Sequence, residues 1–166
     1  MVYDICVLYC CMDDDYDDGV LMQTFLPYAG FRKSARSLDY KRLGKQRVEA
    51  KQIINALDPE YKKKGWKTHP AVLMWKGHEE ALKYYANEMI TEWKKRGYNN
   101  TMEYYPVNMS DMQYPAWLGI PDFHKSHRVN LLRKDASFYS VQFAEEAKLS
   151  TYEIESYPYW WPTEQL

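Results

Sequence analysis

The stretch from Pro70 to Gly97 constrains the fold more than any other part of the chain. Pro70 suits a first helical position, where a missing N–H costs nothing, and Lys94-Lys95-Arg96 suit the negative end of a helix dipole. Gly97 suits the residue just past the end, which favours positive φ. Between these signals Val72, Trp75, Leu82, Ala86, Met89 and Trp93 recur at helical spacing as one stripe. A single helix from Pro70 to about Arg96 is predicted, roughly 40 Å long at about 1.5 Å per residue.

Three other stretches read as helical. One runs from Asp39, a plausible N-cap, to Leu57 before Asp58-Pro59, with Tyr40, Leu43, Ala50, Ile54 and Leu57 as its apolar stripe. Another covers Asp122 to about Lys134, with Phe123, His127 and Leu131 on one face, and a short fourth covers Phe138 to Lys148. Residues 98–121 and 151–166 are Tyr/Pro-rich loops, and strand signals are weak. The expectation is an all-α, compact single-domain helical bundle with one long central helix.

At 166 residues there is room for one domain and a proper core. No run approaches the roughly 18 apolar residues of a membrane span, so no membrane partner is expected. The three cysteines fall within residues 1–21, without C-x-x-C spacing, which argues against a disulfide scaffold or a zinc site. An intracellular, cytoplasmic chain in a reducing compartment, acting as a monomer, is expected. The net charge of -1 hides a division. Residues 1–21 hold six aspartates and no Lys or Arg, and read as an acidic, flexible leader. Residues 22–166 form the helical domain with a net charge of +5, and 32–67 alone carry +8. Such a segment is the footprint of a polyanion partner, although a solvated lysine surface gives the same count.

Most of the candidate chemistry lies in Lys41-Arg42-Leu43-Gly44-Lys45-Gln46-Arg47-Val48-Glu49. Arg42, Gln46 and Glu49 form one row along the helix. Arg47 falls inside the apolar stripe and should meet a carboxylate, with Glu79 as one option, or an anionic ligand. Gly44 inside a helix costs roughly 1 kcal/mol against Ala, so something should approach closely there. Glu49 is the only carboxylate among residues 40–57, and the surrounding positive charge should keep it ionised. An ionised carboxylate suits stabilisation of a cationic sugar-like transition state or orientation of a water. A surface glutamate paired with Lys45 has the same spacing.

His124 and His127 lie three apart, with Lys125 and Arg128 alongside, a set suited to phosphate. His69 reads as a helix-start residue and His78 as a packing residue. Nothing completes a metal set, and no cofactor motif is present. The tail Tyr157-Pro158-Tyr159-Trp160-Trp161-Pro162 suits either stacking on bases or a strap packed on the core.

With these residues in view, the chain resembles the pyrimidine-dimer DNA glycosylase family of endonuclease V type, and most closely a bacterial and viral branch of it. The resemblance covers about Met22 to Pro162. It rests on Met22-Gln23-Thr24-Phe25-Leu26-Pro27-Tyr28, Leu43-Gly44-Lys45-Gln46-Arg47-Val48-Glu49 and His69-Pro70-Ala71-Val72. It continues through Lys95-Arg96-Gly97-Tyr98-Asn99, Pro115-Ala116-Trp117-Leu118-Gly119, Phe123-His124-Lys125-Ser126-His127-Arg128 and the aromatic tail. The resemblance implies a compact all-α fold that unstacks bases and attacks the sugar C1′ with an N-terminal α-amine, forming a Schiff base. A glutamate on the first long helix assists, and Glu49 matches it. Arg42, Lys45 and Arg47 match the surrounding DNA-contacting cations.

The nucleophile departs from that pattern. Residue 2 is Val2, about 20 residues upstream of the match, and a start at Met22 would put Gln23 next, before which methionine is poorly removed. Weak or absent lyase activity is therefore expected, with Lys45 replacing the amine if desolvated, or Glu49 activating water. The resulting expectation is a DNA N-glycosylase acting on a damaged or modified pyrimidine, with Glu49 and Lys45 catalytic. Arg42, Gln46, Arg47, His69, His124, His127, Arg128, Tyr159, Trp160 and Trp161 would contact nucleic acid, without metal or cofactor. The alternative is a non-catalytic nucleotide-binding protein on the same fold. An interaction module is a third reading.

Overall fold

A computed structural model describes residues 22–61 and 67–162. The expected acidic leader, residues 1–21, lies outside the described residues. Seven α-helices occur among the described residues: α1 Phe31–Ser37, α2 Tyr40–Leu57, α3 Pro70–Leu73, α4 Glu79–Lys95, α5 Pro121–Lys134, α6 Ala136–Gln142 and α7 Thr151–Ser156. A 3-10 turn spans Glu146–Lys148, and no strand is present among those residues. The fold is all-helical, as the periodicity predicts.

α2 starts where its cap dictates. The Asp39 carboxylate accepts from the N–H groups of Lys41 at 2.8 Å and Arg42 at 3.1 Å, satisfying two orphan donors of the first turn. Leu43, Ala50 and Ile53 bury the inner face, whereas Tyr40, assigned to the buried stripe, is 57% exposed. The predicted helix from Pro70 to Arg96 is split. Pro70 does open a helix, but Gly77 takes φ 83° and His78 also departs from helical dihedrals, so α3 ends after one turn and α4 restarts at Glu79. Each piece keeps its apolar positions: Val72, Trp75, Leu82, Ala86, Met89 and Trp93 are all buried. The central helix is therefore α4, against which both α2 and α1 pack.

α4 ends at Gly97, with φ 81°, and its last turn reaches back to α1. Arg96 donates to the carbonyls of Leu38 at 2.7 Å, Ala35 at 3.2 Å and Arg36 at 3.0 Å, at the C-terminal end of α1. α5 and α6 add a second layer around Phe123, Tyr139 and Phe143, with the last two rings stacked at 5.4 Å. α7 lies in a segment expected to be loop. Ser150 and Glu153 close a capping box on it, and Arg133 holds its end through the carbonyls of Ile154 and Tyr157.

Candidate active site

The site is organised around the non-helical segment Met22–Tyr28, buried from Met22 through Pro27. Lacking a strand partner, its backbone must find side chains to pair with. Phe25 N–H donates to Gln46 Oε1 at 2.9 Å, and Leu26 N–H donates to His127 Nδ1 at 3.1 Å. His124 Nδ1–H donates to Leu26 O at 2.7 Å, Arg128 to Pro27 O at 2.8 Å, and Tyr85 OH to Phe25 O at 3.0 Å. Trp75 Nε1–H donates to the Thr24 hydroxyl at 3.1 Å. The thread is thus sewn between α2, α4 and α5.

The N–H of Gln23, at the start of this thread, donates to the Glu49 carboxyl. Gln46 Nε2 donates to the same carboxyl at 2.5 Å, while Gln46 Oε1 accepts from Tyr85 OH at 2.7 Å as well as from Phe25. Gln46 is fully buried, with its amide orientation fixed from both ends. Lys45 Nζ stands 4.0 Å from Glu49 Oε1, its own side chain 67% exposed and that of Glu49 only 6% exposed. The expectation of an ionised Glu49 is overturned. Burial disfavours the carboxylate more than Lys45, the Gln46 and Gln23 donors and the more distant Lys134 favour it, and the group is pushed up to about 8. A local count of positive charge registers those neighbours but not the loss of water.

The other expected site residues divide sharply. Arg42 is buried, like Gln46 and Glu49 in the same row, rather than open to a strand. Its side chain is 10% exposed, 3.6 Å from Asp39, and it donates to the Lys134 carbonyl at 3.1 Å, joining α2 to the end of α5. His124 and His127 are buried at the thread rather than open to phosphate, and burial holds both below the usual histidine range. Arg128 pairs with Glu146 at 2.8 Å as well as with Pro27. His69 accepts from Ala71 N–H as the N-cap of α3, in line with its reading as a helix-start residue, and stands edge-on to Trp161. The tail is a strap: Tyr159 is buried against His127, Trp160 packs on Phe123, and Trp160 and Trp161 are half-buried.

Arg47 lies on the other edge of α2. Glu79 is not its partner, since that carboxylate accepts from Gly77 N–H. Instead the guanidinium sits 3.9 Å from the centre of the Trp93 ring and donates to Asn100 Oδ1 at 2.8 Å. The close approach expected at Gly44 is this same ring, for a Cβ on Gly44 would come within 2.9 Å of Trp93.

Gln23, Lys41 and Lys134 are absent from the expected site set, yet Gln23 bonds Glu49, Lys134 acts on it through space, and Lys41 lies exposed one turn before Lys45. Only a tertiary contact brings Gln23 and Lys134 there. Among the described residues no group of three or more metal-ligating side chains assembles, and no helix is long and apolar enough to cross a membrane. Comparisons with curated proteins and with solved structures find no match. A family model described as pyrimidine dimer DNA glycosylase matches residues 22–106, the span holding the thread, Gln46, Glu49 and the whole of α4. That match covers just over half of the sequence, and the chain belongs to the pyrimidine dimer DNA glycosylase family.

Proposed function

We propose that this protein is a DNA-repair N-glycosylase that releases a damaged or modified pyrimidine, with Glu49 as its acid–base group. The observation that carries this reading is the Glu49 carboxyl itself. It is buried on α2, gripped by Gln46 and the Gln23 N–H, pushed up to about 8, and flanked by an exposed lysine. A group titrating near the working pH is suited to give and take a proton.

At neutral pH Glu49 holds its proton. It donates that proton to an oxygen of the departing pyrimidine as the bond between C1′ and the base nitrogen breaks, the bonding electrons leaving with the base. The carboxylate so formed faces a cationic sugar and stabilises it, and the Lys45 ammonium makes that anion easier to form. Water then attacks C1′ and returns its proton to Glu49. The products are a free base and an abasic sugar. Lys45 beside the carboxyl and Lys134, which acts on it through space, hold the strand's phosphates.

Water is the nucleophile in this reading for two reasons. The thread nitrogen that bonds Glu49 is the peptide nitrogen of Gln23, whose lone pair is delocalised. Lys45 is exposed and lacks the desolvation that activates an amine. The test uses duplexes bearing a cyclobutane dimer, oxidised pyrimidines, uracil or an abasic site. Base release is expected on one of them, falling about 100- to 10,000-fold in Glu49→Gln and declining as pH rises through about 8. Undiminished release by Glu49→Gln sinks the assignment. An adduct trapped by borohydride and mapped to Lys45 replaces water with the amine.

A further inference from the structure

We propose that the edge of α2 opposite Glu49 is a second nucleotide site, which takes one phosphate at Arg47 and one unpaired base on Tyr40. At about 100° per residue, Arg47 and Glu49 point to opposite sides of the helix, so this site is separate from the acid–base group. Tyr40, Gly44 and Arg47 share one edge, spaced four and three residues apart.

Trp93 is the floor of the site. Its ring lies directly on the helix backbone because Gly44 has no Cβ, and its Nε1–H donates to Asn99 O at 2.7 Å. On this floor rest a cation and a second ring. The Arg47 guanidinium is 3.9 Å from the centre of the Trp93 ring, and the Tyr40 ring stacks at 5.4 Å with an interplanar angle of 22°. Tyr98 props Tyr40 edge-on at 4.9 Å. Tyr40 still leaves 57% of its surface to solvent.

Arg47 has no carboxylate partner among the described residues, and its buried Nε has no hydrogen-bond partner. Its one bond goes to Asn100 Oδ1, a neutral acceptor whose amide is turned that way because Asn100 Nδ2 donates to Met102 O at 2.7 Å. A half-buried guanidinium cannot neutralise itself, so the missing element is an anion. Burial also lowers its proton affinity, the direction expected of a cation awaiting a counter-charge.

Phosphate matches the guanidinium in geometry and charge. An exposed ring beside it, over the same indole, adds what a nucleobase needs and a bare anion does not. Bases within a duplex are stacked on each other, so the base taken here is unpaired: one in a single-stranded stretch, one extruded from a duplex, or that of a free mononucleotide.

The experiment is fluorescence anisotropy of a labelled short single-stranded oligodeoxynucleotide and of its duplex, for the full chain and for Tyr40→Ala and Arg47→Gln. Tyr40→Ala is expected to weaken single-strand binding at least about fivefold, and duplex binding less. Arg47→Gln is expected to reduce the dependence of log affinity on log salt by about one. Competition by thymidine monophosphate separates the sources: effective competition that both substitutions abolish assigns the site to free nucleotides, and none assigns it to a strand. Wild-type affinity and salt slope in both variants, with unchanged melting, overturn the proposal. Tyr40→Leu serves if Tyr40→Ala does not fold. Because the readout is binding, it stands whatever Glu49 does.

Discussion

The two edges of α2 bury opposite charges and resolve them in opposite ways. On one edge the Glu49 carboxyl loses its water, keeps four hydrogen-bonding or charged neighbours, and sheds its charge by holding a proton up to about pH 8. On the other, two residues away, Arg47 loses part of its water and has no such escape, because a guanidinium does not deprotonate in the working range. It settles on an indole face and one amide oxygen, leaving a donor unused. A buried acid becomes a proton store and a buried base becomes a vacancy for an anion.

The sharpest way to break the acid edge is to remove its holder. Gln46→Leu leaves the Phe25 N–H without an acceptor in the interior and takes the Gln46 donor from the Glu49 carboxyl, while the Tyr85 hydroxyl keeps the Phe25 carbonyl. A loss of roughly 2–4 kcal/mol is expected from one stranded donor and one lost bond to Glu49, read by chemical denaturation. Glu49→Gln acts in the other direction. The folded-state value lies above the ordinary 4.5, so folding keeps a proton that the unfolded chain releases between about 4.5 and 8. The stability it contributes is complete below 4.5 and is lost as pH rises through about 8. Glu49→Gln is therefore expected to exceed the wild type at pH 9 by a few kcal/mol, and the gap should close towards pH 5.

Smaller effects test the base edge and its neighbours. Gly44→Ala improves helix propensity but drives a methyl into Trp93, and a net loss of about 1–2 kcal/mol is expected, seen as a lowered Tm. The displaced indole should also weaken single-strand binding, which links Gly44 to the Arg47 site. Lys45→Gln is the mildest change. Its exposed ammonium should cost only about one in the salt slope for duplex binding, and base release should lose less than in Glu49→Gln.

Local signals were legible in the sequence, and directions into the fold were not. Asp39, Asp58, Pro70 and Gly97 mark helix limits through backbone chemistry that operates within a few residues. The break at Gly77 was missed because the apolar stripe runs on across it, as both pieces pack on the same core. The row Arg42, Gln46 and Glu49 was identified correctly as a row. The row turns inward because the thread, α4 and α5 bring it partners distant in sequence. The histidines of α5 were misread for the same reason: a backbone segment with no strand partner recruits buried polar side chains, and a sequence does not display which segment that will be.

That recruitment has a consequence in time. Leu26 finds its acceptor on His127, 101 residues further along, and Pro27 finds Arg128 at the same separation. During synthesis at about 5–20 residues per second, the start of the domain leaves the ribosome several seconds before the side chains that lock it exist. Contacts of such long range also slow the search for the native topology. Until α5 arrives, the Leu26 amide and the Leu26 and Pro27 carbonyls lack their partners, so the end of the thread that leads away from Glu49 is among the last parts of the fold to close.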